Sequence, residues 1–273
     1  MTTYVAGWTA PTPFEGVADD DVTPLFGLIW WPTNYDPSHK YPVVENIYTG
    51  PHASHVPKGF KQALFHHSQA IAELGFICVF IDGRGTGDIS KEFRMRSQKN
   101  LKDGAGGPDH ICMMKQMGAK YPAMDLSRVG VWGHSAGGYD SARAIFDNAD
   151  WYKVAVSSAG CHDNRMDKAS WNEQWMGKIG PHYEDNSNYT AAHKLNGKLL
   201  LAHGEVDENV PSKHTSTYRN NLTLKTSLKI ARVLSRRDVE AGRGAHASQQ
   251  RLRLLPFSKR RPLVGTAGRL PRG

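Results

Sequence analysis

The sequence predicts an α/β fold with a doubly wound, mainly parallel sheet. Apolar runs alternate along the chain with stretches whose apolar residues have helical spacing, which is the pattern of β-α-β units. Residues 74–81 form an almost continuous apolar run, as is typical of a strand buried on both faces. A glycine-flanked serine, Ser135, stands between one apolar run and the next helix-compatible stretch.

The predicted elements follow one another from residue 41 to residue 203. The first strand ends at Thr49-Gly50-Pro51, because glycine and proline interrupt a strand. The first helix has apolar residues at helical spacing, and the later strands are short apolar runs rich in valine or leucine. In chain order we predict strands at 41–48, 74–81, 129–132, 154–158 and 198–203, and helices at 60–73, 109–120 and 139–146.

A glycine-rich segment, residues 82–87, follows the second predicted strand. Its glycines suggest a nucleotide-binding loop, but they have the spacing G-x-G-x-G and no clear helix starts there. A tight turn after a buried strand is the favoured interpretation. We therefore predict no cofactor.

The segment Gly133-His134-Ser135-Ala136-Gly137 predicts the nucleophile elbow of an α/β-hydrolase fold. A serine hydroxyl is a poor nucleophile unless a turn holds it out of the sheet, near a base and near backbone donors. That turn crowds the backbone two residues on either side, which favours glycine at 133 and 137. The N–H of Ala136 would then donate to the developing oxyanion, at the positive end of the following helix.

The partners of the serine should lie downstream, in the order acid and then histidine. Asp207, on a loop after the last predicted strand, is the favoured acid, with Glu205 and Glu208 as alternatives. The acid would orient the histidine and stabilise its protonated form.

The catalytic histidine is harder to assign. His134 adjoins the serine and should point away from it, whereas His203 should end its strand as a core or loop residue. His214 follows Asp207 too closely for the usual intervening helix and strand. His246, in a loop of small residues far downstream, is the remaining candidate for the base.

The composition changes after residue 211. Residues 212–273, which we call the basic tail, contain 15 Lys and Arg but only two acidic residues. Such a segment has too little apolar surface to order itself, so we expect a hydrolase domain at 1–211 and a solvated, disordered tail at 212–273. A basic arm for nucleic acid or an acidic membrane surface is an alternative. The interpretation we prefer is a shifted reading frame or gene-model error from about residue 213.

Other classes of protein and site are not indicated. Cys78, Cys112 and Cys161 match no zinc-binding spacing, and Cys78 is expected in the core, so no metal is predicted. The N-terminus lacks a signal-peptide pattern and no run approaches 18 apolar residues, which leaves a cytoplasmic location as the default expectation.

Six ordered segments within residues 8–211 resemble the catalytic domain of prolyl oligopeptidase and dipeptidyl peptidase IV serine peptidases. They are residues 41–51, 82–85, 133–138, 161–168, 171–177 and 203–210. The resemblance implies that Ser135 is the nucleophile and Asp207 the acid, and that Tyr48 shares the oxyanion hole with the N–H of Ala136. It also implies that Trp171, Asn209 and Val210 line a pocket for proline or another small residue; from the sequence alone, Trp171 and Trp175 at i, i+4 are more simply core residues.

The resemblance implies peptide substrates and leaves several functions open. Other members carry a β-propeller before this domain, and no segment here corresponds to it, so dipeptide selectivity stays open. A serine peptidase is the first interpretation and an esterase on the same fold the second. An inactive fragment that lacks the catalytic histidine is the third. Nucleic-acid binding through the basic tail is the fourth, and we do not expect it.

Overall fold

The chain folds around an open eight-stranded sheet in the order β1-β2-β4-β3-β5-β6-β7-β8. This computed structural model describes residues 8–64, 66–105, 107–204 and 206–215, together with the backbone of 233–234. The strands are Thr12–Val17, Pro24–Trp30, Tyr41–Asn46, Ile77–Asp82, Met124–His134, Tyr152–Ser158, Lys198–Ala202 and Val233–Leu234. Strand β2 runs antiparallel to β1 and β4, and every pair from β4 to β8 is parallel. The predicted doubly wound, mainly parallel α/β-hydrolase sheet is therefore confirmed.

Helices α1 to α9 connect the strands. They are Phe60–Leu64, His67–Ala72, Lys91–Met95, Leu101–Gly104, Pro108–Lys120, Ala136–Asp147, Ala169–Met176, Pro181–Asp185 and Asn188–Ala191, followed by a 3₁₀ turn at Ala192–Lys194. The single helix predicted at 60–73 is instead the pair α1 and α2, because the His66 side chain accepts a hydrogen bond from the Ser68 N–H and starts a new helix. Among the described helices, none combines the length and hydropathy needed to span a bilayer.

The core lies on both faces of the sheet. One cluster packs α5 and α6 against the central strands and includes Met113, Met117 and Ile145. Another, which contains the buried Cys78, lies beneath α1 and α2. A third cluster lies beside the carboxyl end of β5. The first cluster contains residues of both β5 and α6, the third contains Tyr139 of α6, and the residue between these two elements is Ser135.

The structure describes only a small part of the expected basic tail. Its residues Val233–Leu234 form β8, which pairs with Leu201 and Ala202 of β7 and extends the sheet by one strand beyond residue 211. All other residues from 216 to the end, His246 included, lie outside the part of the chain that the structure describes. The division at residue 211 stays a prediction.

Candidate active site

The turn between β5 and α6 holds Ser135 in a strained backbone conformation. Its φ is 60° and its ψ is −119°, in the left-handed half of conformational space that a side chain normally avoids. The Ser135 N–H donates to the carbonyl of Ser158 at 2.9 Å, and its carbonyl accepts the N–H groups of Gly138 and Tyr139 at 2.9 and 3.1 Å. Three backbone hydrogen bonds thus hold the bend, and Ser135 is half-buried at the N-terminus of a twelve-residue helix.

Glycine is required on both sides of this turn because backbone segments approach it closely. A Cβ at Gly133 would lie 2.3 Å from the carbonyl oxygen of Gly137, and a Cβ at Gly137 would lie 2.2 Å from that of Ile47. Real Cβ atoms do not come this close, so a larger residue would displace the turn. The crowding matches the reason for which glycine was expected at these positions.

Tyr48 lies beside the serine. Burial raises the pKa of its phenol to about 12, although the neighbouring Ser135 side chain lowers it. The Tyr48 ring packs at 3.8 Å between centroids on that of His55 and forms an edge contact with His52. At neutral pH the hydroxyl is protonated and firmly held, as an oxyanion donor must be.

A cavity of about 500 Å³ opens in front of Ser135. This volume is typical of a small-molecule or peptide site. The cavity brings together six of the eight predicted site residues, namely Tyr48, Ser135, Ala136, Trp171, Asn209 and Val210. Trp175 also lines it, so both tryptophans of α7 face the cavity as well as the neighbouring apolar cluster.

Asp207 lies in the loop after β7, with its side chain about one-fifth exposed. One carboxylate oxygen, Oδ1, accepts the N–H groups of Asn209 and Val210 at 3.0 and 2.9 Å. Asp207 itself is not among the described residues that line the cavity, although its turn carries Asn209 and Val210 to it. Of the alternatives, Glu208 is exposed and Glu205 lies outside the described residues.

The described histidines that were considered as the base differ in the exposure of their rings and in the hydrogen bonds that the rings make. His134 is exposed and its Nδ1 contacts the Ser158 hydroxyl at 3.1 Å. His203 is buried, 3.6 Å from Asp207, but its two ring nitrogens already bond Thr215 and the carbonyl of Val210 at 2.6 and 2.7 Å. His214 is fully buried, which lowers its pKa. None of these three lines the cavity, and His246 lies outside the described residues.

Sequence reasoning missed three side chains that shape this site. Lys168 donates from Nζ to the backbone and side-chain oxygens of Asn209 at 2.6 and 2.9 Å, and so fixes this predicted pocket residue. His52 lines the cavity with its Nε2 3.5 Å from the Tyr48 hydroxyl, and partial desolvation lowers its pKa. Cys161 also lines the cavity, where burial and the nearby Asp167 carboxylate raise the pKa of its thiol. Cys161 and Lys168 stand at the two ends of one of the resembling segments, residues 161–168, but no pattern in the sequence gave them or His52 a role.

The glycine-rich segment 82–87 forms a turn after β4, in agreement with the favoured interpretation. Arg84 in this turn contacts Asp109 at the start of α5 at 2.7 Å, and it also pairs with Asp19 and Asp20. The turn therefore ties β4 to α5 and to the N-terminal hairpin. Among the described residues, no group of three or more His, Cys, Asp or Glu side chains has the arrangement of a metal site.

Comparison with known proteins places this geometry in a family. The model of the prolyl oligopeptidase family matches residues 62–253. Dipeptidyl peptidase 8 of Homo sapiens is 30% identical over 217 residues, which are 77% of this chain and 24% of that protein. The protein named "Probable dipeptidyl-aminopeptidase B" of Chaetomium globosum is 32% identical over 207 residues, which are 74% of this chain and 21% of that protein. This chain thus spans about a quarter of the length of the curated relatives it matches.

The fold is also shared with solved structures. Dipeptidyl peptidase 4 of Porphyromonas gingivalis superimposes with a TM-score of 0.75 at 24% identity, over 87% of this chain and 35% of that chain. At this level of identity the likeness establishes the α/β-hydrolase fold alone.

Proposed function

This chain belongs to the prolyl oligopeptidase family, and from that membership and the site geometry we propose that it is a serine peptidase domain that acts through an acyl-enzyme at Ser135. One observation carries the proposal: the strained serine at the start of α6 faces a cavity that the Tyr48 side chain also lines. A nucleophile, two oxyanion donors and space for a substrate are the minimum that acyl transfer needs.

In the proposed mechanism, the Ser135 hydroxyl attacks the scissile carbonyl carbon while a histidine takes its proton. The Tyr48 O–H and the Ala136 N–H donate to the oxyanion. The C–N bond then breaks as the histidine returns the proton to the leaving amine. Water repeats the sequence on the acyl-enzyme and regenerates Ser135. Asp207 would orient the histidine through the carboxylate oxygen that does not hold the turn.

We propose His246 as the base. The family match extends to residue 253 and so includes His246, beyond the proposed division between a hydrolase domain at 1–211 and a basic tail at 212–273. A shifted reading frame in the tail would remove this histidine from its family context. Translating the encoding DNA in the other two frames tests that idea: it fails if neither frame gives a helix, an apolar strand and a Gly-His loop.

The proposed substrates are peptides with proline or a small residue beside the scissile bond. The relatives are named as dipeptidyl peptidases and aminopeptidases, and the cavity wall supports a similar class here. Trp171 supplies a flat apolar surface that suits a proline ring. Asn209, held by Lys168, supplies amide groups that can bond the peptide backbone.

Labelling with a fluorophosphonate probe tests the proposed chemistry. We expect the folded chain to be labelled and Ser135→Ala to remain unlabelled. His246→Ala should lose labelling, whereas His52→Ala, which removes the described histidine that lines the cavity, should keep most of it. If Ser135→Ala is labelled as well as the parent chain, Ser135 is not the nucleophile. If only His52→Ala loses labelling, the base is His52 and the assignment of His246 is wrong.

Two alternatives have distinct outcomes. An esterase would turn over a short acyl ester but leave a proline-containing amide intact. An inactive fragment would be folded by circular dichroism and yet unlabelled. That result is expected if the base is missing, because loss of a triad member costs about 10⁶-fold in rate.

A further inference from the structure

A chain of buried polar side chains runs from β6 to the loop that carries Tyr48. The Tyr152 hydroxyl donates to Glu45 Oε2 at 2.7 Å, and His110 Nδ1 donates to Glu45 Oε1 at 2.5 Å. The other ring nitrogen of His110 contacts the Thr49 hydroxyl at 3.2 Å, and the Thr49 N–H donates to Asp140 Oδ2 at 2.8 Å. None of the five residues exposes more than 3% of its surface.

Such a chain is costly, because buried charged groups lose their hydration. Burial alone would lower the pKa of His110, but the Glu45 carboxylate beside it raises that pKa above its usual value. Burial raises the pKa of Asp140 to about 7, against the lowering effects of the Thr49 N–H and of His110. The catalytic mechanism proposed above uses none of these groups, so their burial calls for another reason.

The position of Asp140 supplies that reason. Asp140 lies on α6, five residues after Ser135, and Thr49 directly follows Tyr48. The Thr49 N–H belongs to the same rigid peptide unit as the Tyr48 carbonyl. A hydrogen bond to this N–H therefore restricts the backbone of Tyr48 and ties it to the helix that begins at the nucleophile.

Two glycines, Gly83 after β4 and Gly104 at the end of α4, leave just enough space for this arrangement. A Cβ at Gly83 would lie 2.4 Å from His110 Nε2, and a Cβ at Gly104 would lie 2.6 Å from the Thr49 side chain. The His110 ring and the Thr49 side chain thus fill spaces that only glycine leaves open. His110 and Thr49 are therefore closely packed on the side of these two glycines.

We propose that Asp140 is a positioning residue for the oxyanion hole. It holds the Thr49 N–H, and through it the Tyr48 hydroxyl against Ser135, while Glu45 and His110 brace Thr49 from the other side. The inference rests on the proposed function, in which Tyr48 is an oxyanion donor. A residue that only stabilised the fold would affect the reaction whether or not the Tyr48 hydroxyl were present. The proposed effect of Asp140 on the reaction requires that hydroxyl.

A double-mutant cycle separates the two roles. We expect Asp140→Ala to lower the rate of fluorophosphonate labelling and the kcat for a peptide amide by about 10- to 100-fold, with KM within about twofold, because the displaced donor acts in the transition state. In the Tyr48→Phe background, Asp140→Ala should have little further effect. Asp140→Asn retains an amide oxygen that can accept the Thr49 N–H, so it should recover most of the rate.

The proposal is overturned if Asp140→Ala costs the same factor with and without the Tyr48 hydroxyl. It is also overturned if Asp140→Asn loses about 10-fold or more in rate relative to the parent chain while its Thr49 amide stays protected from exchange. This second comparison remains decisive if Asp140→Ala fails to fold.

Hydrogen exchange of the Thr49 amide gives a readout that does not need activity. Asp140→Ala should speed this exchange at least about tenfold, since the N–H loses its acceptor. Asp147→Ala is the matched control, because it removes a carboxylate from the same helix that pairs with Arg143 and Lys194 instead. Unchanged exchange in folded Asp140→Ala would refute the positioning role. A different outcome is that the parent chain is not labelled, whereas the Thr49 amide exchanges faster in Asp140→Ala. That result would refute the proposed function and leave the hydrogen bond between Asp140 and Thr49 established.

Discussion

Replacement of Asp140 with asparagine is expected to remove a large pH dependence from the stability of this fold. The Asp140 side chain is buried next to Glu45 and His110 of the same polar chain, and the Tyr48 hydroxyl lies nearby. Burial raises its pKa from 3.8 to about 7. Between these two values, the folded chain retains a proton that the unfolded chain has released.

The sign and size follow from this difference. Below about pH 4 the carboxyl is protonated in both states and has no effect on the pH dependence. As pH rises to 7 the unfolded state ionises first, so the free energy of unfolding falls by about 1.4 kcal/mol for each pH unit. About three units give a loss of about 4 kcal/mol, which asparagine cannot show because it does not titrate. The amide of asparagine also accepts the Thr49 N–H more weakly than a carboxylate does. This difference changes the absolute stability of the variant, but it does not create a slope with pH.

The assay is urea unfolding of the parent chain and Asp140→Asn at half-unit steps from pH 4 to 8. The quantity of interest is the difference between the two free energies of unfolding, because titrating groups that do not interact with Asp140 cancel in it. Asp150→Asn, which removes an exposed carboxylate, is the control and should show a nearly flat difference. A flat difference for Asp140→Asn as well would mean that Asp140 ionises normally in the fold, and would refute the reasoning.

Four further outcomes are expected. Tyr48→Phe should lower kcat by about 100- to 1,000-fold at nearly constant KM, as measured with a peptide amide, since it removes a proposed oxyanion donor; a change confined to KM would contradict this role. Gly137→Ala should abolish serine labelling and lower the free energy of unfolding by at least about 1–3 kcal/mol in urea, whereas Gly204→Ala, which meets no atom within 4 Å, should keep labelling. Lys168→Ala should raise KM about three- to tenfold without changing the labelling rate, because Asn209 loses its support; equal KM values would show that Lys168 is dispensable. Arg84→Met should lower the free energy of unfolding in urea by about 2–4 kcal/mol. Arg128→Met, which removes a half-exposed side chain, should lower it by no more than about 1 kcal/mol. Equal losses would mean that burial of the ion pairs of Arg84 is unimportant.

The sequence predicted the part of the fold that local patterns encode. Buried parallel strands appear as apolar runs, so the central strands were located within a few residues. Strands β1 and β2 were not predicted, because β2 depends on antiparallel pairing with β4, far away in the sequence, and β1 in turn pairs with β2 at the edge of the sheet. Strand β4 begins at Ile77, later than the apolar run, because Gly75 has a positive φ and ends the preceding turn.

The candidate site, too, was predictable only in part. Ser135 was predictable because its turn imposes glycine at fixed spacing, and the resemblance supplied Tyr48, Trp171 and Asn209 as site residues. The polar chain behind Tyr48 was not predictable, since Glu45, His110 and Asp140 look like solvent-exposed residues until the strands and helices pack. Lys168 was not predicted for a related reason, because it lies 41 residues away in the sequence from Asn209, which it contacts.

The two hydrogen bonds to Asp207 Oδ1 affect how substitutions at this residue are read. One carboxylate oxygen accepts the two hydrogen bonds that hold the loop of Asn209 and Val210, and in the proposed mechanism the other oxygen faces the histidine. Truncation to alanine would therefore disturb substrate recognition and proton transfer together, and the two losses would be inseparable in a single rate constant. Asparagine at this position can keep the loop closed while it removes the charge, so it is the substitution that reports on the chemistry alone.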